Sequence, residues 1–303
     1  MDLDLNNSSL PIFKALGSRI RLEILQKISK KNYSATQLAH SLHVSKTTIS
    51  KNLRILNQNR LINLNKNKNN DGRELVPSMA IENIQVNFPQ KIFPAYHQKT
   101  YDIPLGSYFG IQGIEPTCGL LSKEDYIGKM DNPKVFLLPK RSQAQLLWFS
   151  KGAIEYVVPN EVPLNNKFQL IELDMELASE FPTSNNNWKS KIGFWVNDQF
   201  IGSTIIPGNF SDVRGQYTPS WWPDNRSQYG LLKHLRINNI NTAVDGYKIS
   251  NINLKRLNLF QKKRIKFKIS VMPMKNKRFG GLTIFGKEFG NHNQNIKALI
   301  YYS

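Results

Sequence analysis

The chain has 303 residues, room for two hydrophobic cores, with 40% apolar and 11% aromatic residues, a composition that excludes a disordered chain. No stretch approaches the roughly 18 consecutive apolar residues of a membrane span. Forty-one Lys and Arg against 22 Asp and Glu give a formal charge of +19, which favours a polyanionic partner, and the single cysteine, Cys118, excludes an intramolecular disulfide and a cysteine-cluster metal site.

The opening segment, "MDLDLNNSSL", has neither the basic start nor the apolar core of a secretory leader, so the expected location is the cytoplasm. Residues 12 to 58 repeat apolar side chains at helical spacing: Ile20, Ile24 and Ile28, then Leu38 and Leu42, then Ile49, Leu53 and Leu56. Three or four short helices are predicted. Ser18 is placed to cap the second, Ser34 with Gln37 forms a capping box for the third, and Ser45 caps the fourth. Short apolar runs around Asn70-Asp71-Gly72 then predict a basic hairpin over residues 61 to 79.

After about residue 80 the period changes from helical to alternating. "IELDMEL" sets Ile171, Leu173, Met175 and Leu177 against Glu172, Asp174 and Glu176, and "RIKFKISV" sets Ile265, Phe267, Ile269 and Val271 against Lys266, Lys268 and Ser270. Both read as strands with one wet face. "KIGFWVNDQFIGSTI" predicts a hairpin turning near Asn197-Asp198, and "KISNINLKRLNLF" and "KALIYYS" are further strand candidates. The fold class is therefore α+β and multidomain: an N-terminal winged helix-turn-helix over 1–80, then a mostly antiparallel β-sandwich of jelly-roll type over 81–303, with 81–150 as connector and first strands.

"SATQLAHSLHVSKTTISKNLRIL" has the spacing of a helix, a tight turn and a second helix beginning at Ser45. Leu38, Ala39 and Leu42 pack inward, Val44 fills the turn, and Ile49 and Leu53 seat the second helix. Ser45, Lys46, Thr47, Thr48, Ser50, Lys51 and Arg54 are left to meet base edges and phosphates in a major groove. Lys66, Lys68 and Arg73 in the hairpin suit backbone or minor-groove contact. These segments, with "FKALGSRIRLEILQKI", resemble the ArsR-type winged-helix repressors over residues 12 to 76. The resemblance implies a dimeric bacterial regulator acting on a double-stranded DNA operator. Two departures stand out: Ser18-Arg19 replaces the usual Asp-Pro, and Lys51-Asn52 replaces the usual basic-His pair. The family's cysteine-bearing helix corresponds to "NYSATQL", without Cys, His or carboxylate, so the thiolate metal site is absent and no cofactor is expected. His40 and His43 lie near each other, but zinc needs three or four ligands.

The later phrases "FWVNDQFIGSTIIPGNF", "WWPDNRSQYGLLK" and "RFGGLTIFGKEFGN" resemble long C-terminal regions carried by some ArsR-type regulators. More than two hundred residues beyond the helix-turn-helix suggest an effector domain. Flat aromatics with polar neighbours are what sugar rings need, so Trp195, Asn197, Arg214, Trp221, Trp222, Arg226, Gln228 and Tyr229 are the candidate ligand residues. Adjacent tryptophans on a strand face opposite sides, so one of Trp221 and Trp222 packs and the other is free for a ligand. The expected function is a non-enzymatic transcriptional regulator sensing a sugar-like molecule. Its alternatives are a carbohydrate-active or carbohydrate-binding protein with an accessory DNA-binding domain, and a regulator whose β domain binds only proteins.

Overall fold

The computed structural model describes residues 1–66, 75–81, 84–87, 96–275 and 278–303. They fall into two compact units, Met1–Ile92 and Phe93–Ser303. In the first, β1 (Asp2–Asp4) precedes helices α1 (Leu10–Leu16), α2 (Arg19–Ile28), α3 (Ala35–Ser41) and α4 (Lys46–Gln58). Strands β2 (Ile62–Lys66) and β3 (Leu75–Met79) then pair antiparallel as the expected hairpin, and β4 (Gln85–Asn87) pairs parallel with β1. The hairpin tip, with Lys68 and Arg73, lies outside the described residues. Ala15, Ile24, Ile28, Leu38, Ala39, Ile49, Leu53, Leu56, Leu61 and Ile62 form one core, so each helix buries the stripe its periodicity marks.

The capping box of Ser34 and Gln37 is present, with Ser34 Oγ accepting from the Gln37 N–H at 3.3 Å and Gln37 Oε1 accepting from the Ser34 N–H at 2.9 Å. Ser18 occupies the N-cap position of α2 with extended backbone, but its side chain makes no capping bond.

The second unit is a single curled antiparallel sheet. Its strands in chain order are β5 (His97–Ile103), β6 (Gly110–Leu121), β7 (Leu146–Pro159), β8 (Phe168–Ala178), β9 (Ser190–Val196), β10 (Gln199–Ile206), β11 (Leu231–Asn238), β12 (Thr242–Val244), β13 (Tyr247–Ser250), β14 (Arg264–Met272), β15 (Leu282–Phe285) and β16 (Ile296–Tyr302). One half runs β6-β7-β14-β9-β10 and the other β5-β16-β8-β11-β12-β13. Short β15 joins them, pairing with residues 146–149 of β7 on one side and 176–178 of β8 on the other. At the far margin Ser250 Oγ donates to the Ile201 carbonyl at 2.6 Å, so β10 comes close to β13 and the sheet is nearly a barrel. The interior holds Phe136, Phe149, Tyr156, Phe194, Phe267, Ile284 and their neighbours.

Two expectations are corrected. "KISNINLKRLNLF" is strand only to Ser250. Asn253 then accepts from the Arg256 N–H and starts helix α5 (Leu254–Leu257), which Asn258 ends in the left-handed conformation. The second correction concerns β8, whose faces alternate as predicted although the carboxylate face is not wet throughout. Glu176 is 1% and Glu172 8% exposed, and only Asp174 stays half-buried. The outer face at this end is roofed by the segments around residues 207–230 and 286–295. They place Leu146, Trp148, Ala178, Trp222, Phe285 and Phe289 in a second apolar cluster. Glu176 answers that roof directly, accepting from the N–H groups of Gly230 at 2.8 Å, Asn291 at 2.9 Å and His292 at 2.9 Å. Burial pushes its carboxyl up to about 7 against those three donors.

Candidate functional site

Helix α4 presents the clearest site. Between α3 and α4 the chain reverses at His43, whose φ of +53° is the left-handed geometry of a tight turn, and the Val44 N–H reaches the Ala39 carbonyl at 3.1 Å. Ser45 caps α4, its hydroxyl accepting from the Thr48 N–H at 3.1 Å and bonding the Thr48 hydroxyl at 2.8 Å. Ser45 and Thr48 therefore set the start of the helix. Ile49, Asn52, Leu53 and Leu56 are buried, which turns Lys46, Thr47, Ser50, Lys51, Arg54 and Gln58 outward around a shallow open groove. Among the described residues, Lys46, Lys51 and Arg54 have no carboxylate partner, so their charge is uncompensated. Lys66 lies on β2 at the end of the hairpin's first described strand.

Sequence reasoning missed the clamp behind this face. Asn52 donates to the Thr48 carbonyl at 2.8 Å and accepts from Arg21 Nη1 at 3.2 Å. Arg21 also donates to the Ala15 carbonyl at 2.6 Å and the Lys14 carbonyl at 2.8 Å, closing the end of α1. One guanidinium thus ties α1 and α2 to the middle of α4. The signal was an asparagine on an apolar stripe, since a buried amide requires partners.

The candidate ligand residues separate into two places. Trp195 and Asn197 belong to the β9–β10 hairpin. Trp195 stands on the outer face, with Phe200 at 4.9 Å between ring centroids and Lys268 Nζ 4.8 Å from its own. Asn197 and Asp198 form the predicted turn with φ of +46° and +70°, and Asn197 Oδ1 accepts from the Lys266 N–H at 2.9 Å. The other six lie in the roof. Arg214 donates to the Pro219 and Trp222 carbonyls and pairs with Asp224. Gln228 donates to the Pro223 carbonyl at 2.8 Å, and Tyr229 donates to Asp212 at 2.8 Å while stacking on Phe210. Trp221 and Trp222 occupy a turn rather than a strand. Trp222 is 3% exposed with its indole N–H on the Ser227 carbonyl, and Trp221 is 36% exposed with its own on the Lys123 carbonyl.

Of these, Trp222 and Arg226 line a cavity together with residues unmarked by the sequence, among them Trp148, Glu180, Ser227 and Thr283. It encloses about 20 Å³, room for one water or one small polar group. The Ser227 hydroxyl is buried there without a hydrogen-bond partner. Glu180 accepts from Thr117 at 2.9 Å and Thr283 at 3.2 Å, yet burial pushes its carboxyl up to about 8 despite those bonds and the nearby Arg226 charge.

The raised carboxyl of Glu180 has a stability consequence. It stays protonated in the folded protein up to about pH 8 but ionises near 4.5 in the unfolded chain, so the folded state holds the extra proton between those values. Stability contributed by the neutral form is complete below about pH 4.5 and is lost as pH rises through about 8, at about 1.4 kcal/mol for each pH unit crossed. Glu180→Gln removes the titration. Its thermal midpoint, followed by tryptophan fluorescence, exceeds that of the unchanged protein at pH 8.5 and loses this advantage at pH 5; parallel pH profiles would refute the assignment.

On the outer face of β8 and β11, cross-strand neighbours pair their charges. Asp174 meets His234 at 2.6 Å and Glu172 meets Arg236 at 2.6 Å. Glu172, Asp174 and His234 offer ligand atoms within 4.8 Å of one another, but each carboxylate already has a cationic or imidazole partner.

Among the described residues no helix is long and apolar enough to cross a membrane. No curated protein matches the chain. Among solved structures, HlyU from Vibrio cholerae N16961 is 23% identical, with 25% of this chain and 82% of that one covered at a TM-score of 0.23. Rv0081 from M. tuberculosis is 21% identical over 23% of this chain and 66% of that one, with a TM-score of 0.20. The chain also aligns loosely with the CBM36-1 domain of a multidomain xylanase from the hindgut metagenome of Trinervitermes trinervoides, at 8% identity, over 63% of this chain and 98% of that one, with a TM-score of 0.26. Residues 18–63, which span α2, α3, α4 and the entry into β2, match the family described as bacterial regulatory protein, arsR family. With the capped and cationic α4 at its centre, the N-terminal unit carries a helix-turn-helix of the arsR family, the mark of a DNA-binding transcriptional regulator.

Proposed function

We propose that this chain regulates transcription in the cytoplasm as a homodimer, each copy laying α4 in a major groove of a palindromic operator while the β-rich unit senses a small hydroxylated, sugar-like molecule. The observation that carries the DNA reading is the outward face of α4. Three uncompensated cations, Lys46, Lys51 and Arg54, flank Thr47 and Ser50 on a helix whose start is capped and whose back is clamped. Lysine and arginine meet phosphates, while the short hydroxyl side chains allow base edges to approach. Two such helices read half-sites about 34 to 36 Å apart, one turn of duplex.

The sensing reading is supported by the cavity beneath the roof, where two indoles, a carboxyl, a guanidinium and the unpartnered Ser227 hydroxyl converge. One hydroxyl or hydroxymethyl group fills that space, and the rest of the ligand lies at the mouth near Arg226. Binding changes operator affinity only as far as the ligand prefers one arrangement of the dimer.

Fluorescence anisotropy with a library of duplexes, repeated with a panel of sugars and sugar phosphates, tests both halves. The expected result is salt-dependent duplex binding that one member of the panel weakens or strengthens. The same compound at 100 times its dissociation constant stabilises the protein by about 2.7 kcal/mol in a thermal shift. Absence of any duplex binding sinks the regulator reading; duplex binding indifferent to every compound, with no thermal shift, sinks the sensing reading alone.

A further inference from the structure

The surplus of positive charge is unevenly compensated over the β-rich unit. On the outer face of β8 and β11 the charges are paired, His234 with Asp174 and Arg236 with Glu172, both at 2.6 Å, and Lys233 on the other face of β11 is paired with Asp245 at 2.7 Å. The outer face of β14 and β9 differs. Ile265, Phe267, Ile269 and Val271 fill the core, so the alternation sets Arg264, Lys266 and Lys268 in a row on the other side. Lys262 and Lys263 lead into that row exposed, and Lys191 pairs in register with Met272 near its far end.

These six cations share two carboxylates. Lys266 contacts Asp198 at 2.9 Å and Glu155 at 3.9 Å. The charges of Lys268 and Lys262 also reach Asp198, whose carboxyl is lowered first by the Lys266 hydrogen bond and then by these cations. Lys268 and Arg264 are held over aromatic rings instead of acids, 4.8 Å from the Trp195 centroid and 5.3 Å from that of Phe109. A ring orients a cation without neutralising it. Trp195 lies flat because its strand neighbour is Gly193, where a Cβ would stand 2.8 Å from the indole. Phe109 is 61% exposed and Phe200, beside Trp195, is 39% exposed.

Alternate residues on a strand repeat at about 6.6 to 6.8 Å, so the row offers a regularly spaced series of cations to an extended polyanionic backbone. We infer that the outer face of β14 and β9 is a second nucleic-acid contact, in which Lys262, Arg264 and Lys268 engage the phosphodiester backbone beside the half-buried ring of Trp195 and the exposed ring of Phe109. Sequence-independent contact of this kind adds affinity and salt dependence but no base preference. It rests on the proposed function only for its setting, because the cations and rings belong to the β-rich unit alone. Exposed rings also suit the stacking of unpaired bases, so a duplex and a single strand present the same phosphate chemistry from two sources.

The test uses the full chain carrying Lys262→Gln, Arg264→Gln and Lys268→Gln, with Lys266 left in place so that the hairpin keeps its Asp198 partner. Anisotropy is measured against salt with a 30-base-pair duplex and a single strand of equal length, in both the natural background and one with Lys46, Lys51 and Arg54 changed to alanine. The expected result is roughly tenfold weaker binding at physiological salt and a log-log salt slope shallower by about 2 to 3 for duplex. Residual binding that survives the α4 substitutions is lost when the β14 substitutions are added. A loss seen with both probes supports a backbone contact for either form, and a loss confined to the single strand supports stacking at Trp195. A charge-keeping variant, Arg264→Lys with Lys268→Arg, retains binding. Unchanged affinity and slope for both probes, in a variant that melts at the normal temperature, overturns the inference. If only the α4 substitutions abolish binding, the regulator reading survives while this one fails.

Discussion

Changing Lys46, Lys51 and Arg54 together to alanine is expected to lower duplex affinity by about a hundredfold or more and to make the log-log salt slope shallower by about 3, since each lost phosphate contact removes about one unit and at least about 1 kcal/mol. The substitution leaves the fold alone for three reasons. Alanine is the best helix former. The buried side of α4, made of Ile49, Asn52, Leu53 and Leu56, is not altered. The start of the helix depends on Ser45 and Thr48 rather than on the cations. Helical circular dichroism and the melting temperature are therefore preserved while binding falls. Gel shift or anisotropy at three salt concentrations decides it, and retained affinity with an unchanged slope would remove α4 from the interface.

The largest stability effect belongs to Trp222. Trp222→Ala is expected to cost about 3 to 5 kcal/mol, the range for removing a buried aromatic. Its ring lies about 6 Å from those of Tyr126, Trp148, Trp221 and Phe289, at centroid separations of 6.0, 6.1, 6.0 and 6.3 Å. The indole also holds the roof through its bond to the Ser227 carbonyl at 2.9 Å. Trp221→Ala, at a half-exposed position, costs a fraction of that. All five tryptophans fall within the β-rich unit, so fluorescence reports that unit alone, whereas far-ultraviolet dichroism follows the helices of the N-terminal one. Denaturant titration by both probes should show the fluorescence transition moving far to lower denaturant and the helical one moving little. Equal, small shifts for the two tryptophan variants would contradict this packing.

What the sequence made legible is what short-range chemistry decides. Ser34 with Gln37, Ser45 before α4, and Asn197-Asp198 between two alternating runs each form their structure with partners within three residues or across one turn, and all three are present. The alternation in β8 and β14 named the residues that fill the core for the same reason, since a strand's period is fixed by its backbone. Glu176 and Glu180 show where this reading stops. Their place on the outer face of β8 and just beyond it was visible, but the segments that roof that face come from about residues 207–230 and 286–295, far along the chain. The clamp of Arg21 on Asn52 spans 31 positions, so the sequence marks the buried amide on its apolar stripe but not the partner that meets it. The candidate ligand set suffered from the same limit: polar side chains that suit a sugar, such as Arg214, Gln228 and Tyr229, are engaged in holding their own loop. Only the assembled fold separates Trp222, at the cavity wall, from Trp195, about which the cations of β14 gather.

The central claim is that the outward face of α4 reads bases, and duplex selection from a randomised pool addresses it most directly. Selection is carried out with the natural protein and again with Thr47 and Ser50 both changed to alanine, which leaves every cation of α4 in place. The account predicts that the natural protein enriches a palindrome with half-sites one helical turn apart, and that the variant loses preference at the same positions in both half-sites while keeping its salt-dependent affinity. An identical consensus from both proteins, or no enrichment from the natural one, would contradict it.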